Sequence, residues 1–402
     1  MRVLLFTDSF YPELGGIQDS LIATSRELGA RGHEVVVCAP SAGRRDYEIM
    51  DLPVGEIDLG DNVLVRRLLS LPVPSSTRQS RLLLPTGRRW REMARFRPDV
   101  VHTHTFLGAG WEAVRTARCL HVPLIGTNHW AIGAFDAYLP IPASLFAQVG
   151  TRAVTWYYNQ CDLVTGPSRS ILDEMRAFGL RRPRVVVSNP IDSAVYHPGS
   201  LAERRRLKEA LSFSAATILY AGRLAVEKNI DILIHALYLL RREIPDAMLV
   251  LAGHGSARRE LEALAHELDV ASHVRFLGTL SAPALAEAYQ SADVFATAST
   301  SETQCMALLQ AMSAGLPAVG ARSRALVEFI PPDVGFLAAP REASDFAARL
   351  GALLRNPSLR NEMGERAMRF AGRFSLAEVV GRWEEIYASP AETSSVSLPD
   401  AA

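Results

Sequence analysis

A chain of 402 residues, 48% of them apolar, is too long for one ordinary domain and carries enough apolar material for two full-sized cores. Its 43 basic residues balance its 43 acidic ones, which removes the electrostatic case for nucleic acid as a partner. The four cysteines, Cys38, Cys119, Cys161 and Cys305, lie far apart with no Cys-x-x-Cys pair, which argues against a disulfide framework and for a reducing compartment.

Arg2 to Phe6 is an apolar run that turns polar at Thr7-Asp8-Ser9; it is too short for the apolar region of a signal peptide and reads as a buried strand. No stretch approaches a membrane span, so the expected location is cytoplasmic, with peripheral contact at the inner face of the cell membrane left open. A Pro- and Gly-bearing loop, Asp8 to Gly16, leads to a helix with Ile17, Leu21 and Leu28 on one face, and Glu34 to Cys38 is the next strand. Further strands are expected at Val63–Leu68, Asp99–His102, Leu124–Thr127, Leu163–Thr165 and Val185–Val187. Alternation of short apolar runs with helical patterns predicts an α/β domain with a parallel sheet over residues 1–190. Within it, segment 78–97 carries seven arginines against the single acid Glu92, interleaved with Trp90, Met93 and Phe96. Such a segment is either a basic amphipathic surface for anionic lipid headgroups or an ordinary helix with a buried apolar face.

Turn formers at Ser188-Asn189-Pro190-Ile191-Asp192 and Pro198-Gly199-Ser200 mark a domain boundary. After a charged helix containing Arg204, Arg205 and Arg206, a second series of strands is expected at Ile218–Ala221, Met248–Ala252, Val274–Leu277, Val294–Ala296 and Ala318–Val319, giving a second domain over 191–375. A helical pattern at 376–388 is placed to pack back on the first domain, and the Ser-, Pro- and Ala-rich stretch 389–402 reads as a disordered tail. No internal repeat of solenoid length is present.

Two segments carry the chemistry. Strand Ile218–Ala221 opens into Gly222-Arg223-Leu224-Ala225-Val226-Glu227-Lys228-Asn229, which puts Arg223 and Lys228 beyond the carboxyl end of a strand and beside a helix start, a setting suited to a diphosphate. Lys228 is one of only two lysines among 43 basic residues, which points to a need for a compact point charge; two ordinary surface cations are the plainer alternative. The second segment, Thr300 to Pro317, follows strand Val294–Ala296 and so reaches the same edge. Glu302 is expected near a helix start with its carboxylate open to sugar hydroxyls, and Gln310, eight residues on, within reach of a ribose; a simple helix-start charge is the alternative for Glu302.

With these segments the sequence resembles the large retaining glycosyltransferase family with the GT-B fold (group 1, family 4 type), two facing Rossmann-like domains with parallel sheets. The ordered motifs are Gly15-Gly16, Pro98-Asp99-Val100-Val101-His102-Thr103-His104, Thr127-Asn128-His129, Asn189-Pro190-Ile191-Asp192, Gly222-Arg223 with Lys228, and Glu302 through Pro317. The resemblance implies an acceptor-side domain at 1–190 and a nucleotide-sugar-binding domain at 191–375. It implies Arg223 and Lys228 on the donor diphosphate, Glu302 on the transferring sugar, Gly16 offering backbone N–H to the phosphates and His129 approaching the sugar. Gly253, Arg275, Cys305, Met306, Ala307 and Gln310 complete the expected donor site. The sequence departs from the family at Gln310, where a second glutamate is usual, and at Asn189-Pro190, where Asn-Gly is common.

His102 and His104 alternate along a strand as metal ligands can, but no carboxylate or cysteine completes a site, and the resemblance implies neither metal nor other cofactor. Gly253-His254-Gly255 lacks the third glycine of a dinucleotide fingerprint, which weighs against a dehydrogenase and for a close backbone approach. The expected function is metal-independent, retaining transfer of a hexose from a nucleotide-diphosphate sugar, UDP-glucose-type before GDP-mannose, to an acceptor such as a membrane glycerolipid. The resemblance is nearest to bacterial diacylglycerol glucosyltransferases and phosphatidylinositol mannosyltransferases. A nucleotide-sugar epimerase and a non-catalytic nucleotide-sugar-binding protein are the alternatives.

Overall fold

The computed structural model describes residues 1–390 except residue 14 and the segments 50–51, 74–80 and 131–142, with backbone alone for 143–147. The expected tail beyond 390 and Arg78 of the basic segment therefore lie outside the described residues. The chain forms two compact units, Met1–Pro190 together with Leu376–Ala402, and Ile191–Ser375.

In the first unit the strands in chain order are β1 (Arg2–Phe6), β2 (Glu34–Pro40), β3 (Val63–Leu68), β4 (Ser70–Pro72), β5 (Arg81–Leu83), β6 (Val100–Thr103), β7 (Leu124–Thr127), β8 (Leu163–Gly166) and β9 (Arg184–Val186). Seven of them make a parallel sheet in the order β3-β2-β1-β6-β7-β8-β9, while β4 and β5 pair antiparallel by themselves. The central strands are buried on both faces, which is why β1 reads as an apolar run without alternation after Arg2, while β6, Val100-Val101-His102-Thr103, is equally buried but ends in polar residues. Helix Leu376–Ala388 belongs to this unit: Val380, Trp383 and Ile386 pack into the same cluster as Val3, Leu5, Leu21 and Val35. Each such side chain contributes about 1.5–3 kcal/mol when fully buried, an upper bound for an extended unfolded chain.

The second unit contains β10 (Ala216–Ala221), β11 (Ala247–Ala252), β12 (Val274–Gly278), β13 (Val294–Thr297), β14 (Ala318–Ala321) and β15 (Gly335–Ala338). They form a parallel sheet ordered β12-β11-β10-β13-β14-β15. Each sheet therefore reverses direction once, between β1 and β6 and between β10 and β13, and the crevice beyond the carboxyl ends of such strands is where doubly wound folds take ligands.

The basic segment is not a long amphipathic helix. Among its described residues only Trp90–Met93 is helical, Met93 is buried and Phe96 packs against the same core, so these two serve the interior. No helix among the described residues is long and apolar enough to cross a membrane.

Candidate active site

At the switch point of the second unit, β10 ends in a backbone ladder. The Gly222 N–H donates to the Ala252 carbonyl at 2.9 Å and the Gly253 N–H to the Gly278 carbonyl at 2.7 Å, which aligns the tips of β10, β11 and β12. Gly253 has φ +146°, and a Cβ there would lie 1.9 Å from the Gly222 carbonyl oxygen, so the close approach expected of Gly253-His254-Gly255 is a steric requirement. The ladder holds Arg223, whose carbonyl accepts from the Tyr220 hydroxyl at 2.9 Å. The Arg223 guanidinium is half exposed and rests 2.8 Å from Glu227.

From there a 3₁₀ turn, Val226–Lys228, delivers Lys228 to Glu302, Nζ to Oε1 2.6 Å, with side-chain exposures of only 18% and 14%. Burial alone would raise the Glu302 carboxyl, but the charge and hydrogen bond of Lys228, a bond from Ser299 and the charge of Arg223 outweigh it and hold the group below its ordinary value. Burial likewise opposes the charge on Lys228, and Glu302 more than restores it, so both groups are ionised at neutral pH.

Glu302 is not at a helix start. The helix is Met306–Ser313, capped by Cys305 in a left-handed conformation with φ +70°, and Glu302 lies in the loop before that cap. Cys305, Met306 and Ala307 nevertheless open the helix whose first N–H groups have no partner within it. Burial pushes the Cys305 thiol far up, which holds it in the neutral form. Gln310, one turn further, accepts through Oε1 from the Tyr289 hydroxyl at 3.3 Å, a hydroxyl that also bonds the Ala307 carbonyl. Arg275 does not join this group. Its guanidinium donates to the Leu211 carbonyl and lies over the Phe213 ring, both of which precede β10 and mark the opposite end of the sheet.

Asn229 was not singled out by its sequence. With φ +48° it precedes helix Ile230–Leu240 and donates to the Ala298 carbonyl at 3.2 Å and Thr300 Oγ1 at 3.3 Å, pinning the Lys228 loop to the Glu302 loop. An asparagine directly before a helix is the available signal, since it tolerates left-handed backbone.

In the first unit Gly16 begins helix Gly16–Ala30 and is exposed. His102, His104 and His129 form a buried row: the rings of His102 and His104 are 4.0 Å apart, and His104 Nδ1 lies 3.0 Å from His129 Nε2. His102 is also bonded to the Tyr387 hydroxyl at 2.8 Å and Thr127 Oγ1 at 2.7 Å. Burial pushes His102 down to about 3 and His129 to about 4, with His104 also well below its ordinary value, so the row is neutral. Among the described residues no three His, Cys, Asp or Glu are arranged to hold a metal. Asp8, also unforeseen, accepts from Thr105 Oγ1 at 2.7 Å and from the N–H of Ala109 at 3.1 Å, fixing the loop beyond β6 against that beyond β1.

Two family models match, Glycosyltransferase Family 4 over residues 14–195 and Glycosyl transferases group 1 over 203–370. A GDP-mannose-dependent alpha-mannosyltransferase of Mycolicibacterium smegmatis is 31% identical over 322 residues, 79% of this chain and 79% of that protein. The chain belongs to the group 1 glycosyltransferases. This glycosyltransferase is also 25% identical to the alpha-monoglucosyldiacylglycerol synthase of Streptococcus pneumoniae, over 79% of this chain and 70% of that one. Its fold is the GT-B type: the structure of Anabaena HepE in complex with UDP-glucose superposes with a TM-score of 0.75 at 20% identity, covering 97% of this chain and 100% of that one.

Proposed function

We propose that this glycosyltransferase moves a hexose from a UDP-sugar of the glucose type to a membrane glycerolipid, with retention of anomeric configuration and without a metal ion. The observation that carries the reading is the ionised Lys228–Glu302 pair beside Arg223 at the switch point of the second sheet. As the bond between the anomeric carbon and the diphosphate opens, negative charge grows on the leaving oxygen, where Arg223, Lys228 and the start of helix Met306–Ser313 stabilise it. Glu302 accepts from hydroxyls of the transferring sugar, and Gln310 bonds the ribose. The acceptor hydroxyl attacks on the face the diphosphate leaves; its oxygen forms the new glycosidic bond and its proton passes to a departing phosphate oxygen. His129 serves the sugar as a neutral imidazole, and Gly16 offers its N–H to phosphate. The glycerolipid acceptor, with a location at the inner face of the cell membrane, is supported by the likeness to a glucosyldiacylglycerol synthase.

A GDP-mannose donor is the second reading, favoured by the higher identity to the mycobacterial mannosyltransferase. The test is nucleotide release from UDP-glucose, UDP-galactose, UDP-N-acetylglucosamine and GDP-mannose, with chelator present, with and without diacylglycerol or phosphatidylinositol in vesicles. Lipid-dependent release of UDP supports the proposal, and release of GDP selects the second reading. Binding of a donor without release from any of them refutes both.

A further inference from the structure

The exposed residues of helix Gly108–Leu120 and of the residue before it form a single stripe, Leu107, Trp111, Arg115 and Arg118, at helical spacing. On helix Ala143–Tyr158 the exposed stripe among residues 148–158 is Gln148, Val149, Arg152, Ala153 and Trp156. The two stripes join: the rings of Trp111 and Trp156 are 5.5 Å apart. Gly110 makes the approach possible, because a Cβ there would lie 2.5 Å from the Tyr157 hydroxyl oxygen. Trp156 is 60% exposed, Val149 57%, Leu107 42% and Trp111 37%, a concentration of large apolar groups with no place in a core.

The charge on the two stripes themselves has one sign. Helix Ala143–Tyr158 contains no acid, and the one acid of helix Gly108–Leu120, Glu112, is buried, accepting from the Gly87 N–H at 2.6 Å and Thr86 Oγ1 at 3.1 Å. Beside Thr86 a shallow recess is lined by Arg88 and Arg89, and Glu92 at its rim is bonded to Arg89. Exposed tryptophans flanked by arginines match the boundary between headgroups and acyl chains, where the rings sit at the interface and the cations meet phosphates.

We propose that this face of the first unit, centred on Trp111 and Trp156, docks the enzyme on an anionic phospholipid bilayer. The inference rests on the lipid-acceptor reading for its purpose, but its geometry is independent of the donor site. Full-length protein is sedimented with vesicles of phosphatidylcholine alone or with about a third phosphatidylglycerol, and nucleotide release is measured in parallel with the acceptor lipid in detergent micelles. The wild type is expected to partition onto the anionic vesicles, and Trp156→Ser and Arg115→Glu/Arg152→Glu each to lower the partition coefficient about tenfold or more, with release in micelles unchanged. Trp156 is the safer aromatic to replace, because Trp111 also packs on Tyr157. Equal binding to both vesicle types, or unaltered binding by both variants, overturns the docking face. So does a wild-type dimer that Trp156→Ser converts to monomer, which would assign the face to a second copy. Release in micelles without vesicle binding removes the docking face and leaves the lipid acceptor; vesicle binding without lipid-dependent release does the reverse.

Discussion

The ammonium of Lys228 lies 2.6 Å from Oε1 of Glu302, joining two loops 74 residues apart at the switch point of the second sheet. The pair is largely enclosed, so each member neutralises a charge that burial would otherwise disfavour. On the proposed reading, a diphosphate arriving beside Arg223 meets a lysine already charged and already held in place.

Lys228→Ala is expected to lower turnover by about a hundredfold or more, the scale of losing one positioned charge at a developing anion. It also strands the Glu302 carboxylate, costing about 3 kcal/mol of stability. Turnover is therefore compared below both melting temperatures. Nearly unchanged turnover there would remove Lys228 from the reaction.

Gln310→Glu places a carboxylate where an amide oxygen now accepts from Tyr289. Hydrogen bonds to an ionised acceptor are about twice as strong as neutral ones, so donor affinity is expected to rise severalfold with little change in the stereochemistry of transfer. Isothermal titration with the donor nucleotide reads this directly; weaker binding would show that the ribose does not meet this side chain.

Gly253→Ala drives a methyl group into the Gly222 carbonyl, and the backbone that must yield is the one that carries Arg223. A loss of about 1–3 kcal/mol in stability accompanies such overpacking. A raised KM for the donor is expected with it, and an unchanged KM would uncouple the ladder from donor binding.

The histidine row makes the first unit sensitive to acid. His102 and His129 have folded-state values of about 3 and 4, below the ordinary 6.5, so the unfolded chain binds protons that the folded chain refuses. Stability is full above about pH 6.5 and is lost as the pH falls toward 4, by of order 1–2 kcal/mol per histidine at pH 5. The melting temperature followed from pH 7 to pH 4.5 tests this. Replacing His102 with Gln should flatten the slope, and a slope unaltered by that change would place the sensitivity elsewhere.

Much of this architecture is legible in the residues because both-face burial writes a strand as a plain apolar run, as at Arg2–Phe6 and Ala216–Ala221. Arg223, Lys228 and Glu302 are legible because each lies in the segment that leaves the carboxyl end of such a run, Ala216–Ala221 for the first two and Val294–Thr297 for the third. Arg275 misled because it is only the second residue of its strand, Val274–Gly278, and its long side chain turns back toward Leu211 and Phe213 at the far end of the sheet. The single short helix at Trp90–Met93 was obscured because Met93 and Phe96 fit both a membrane-facing and a core-facing pattern. The strand Gly335–Ala338 went unseen, being only four residues long and half small. Asn229 and Asp8 act through loop backbone, where spacing carries no period to read.

The return of helix Leu376–Ala388 to the first unit sets an order of assembly on the ribosome. The second unit is one continuous stretch and can close its core as soon as it is made, whereas the first lacks Val380, Trp383 and the Tyr387 partner of His102 until helix Leu376–Ala388 follows it. The half of the enzyme synthesised first is thus the half completed last.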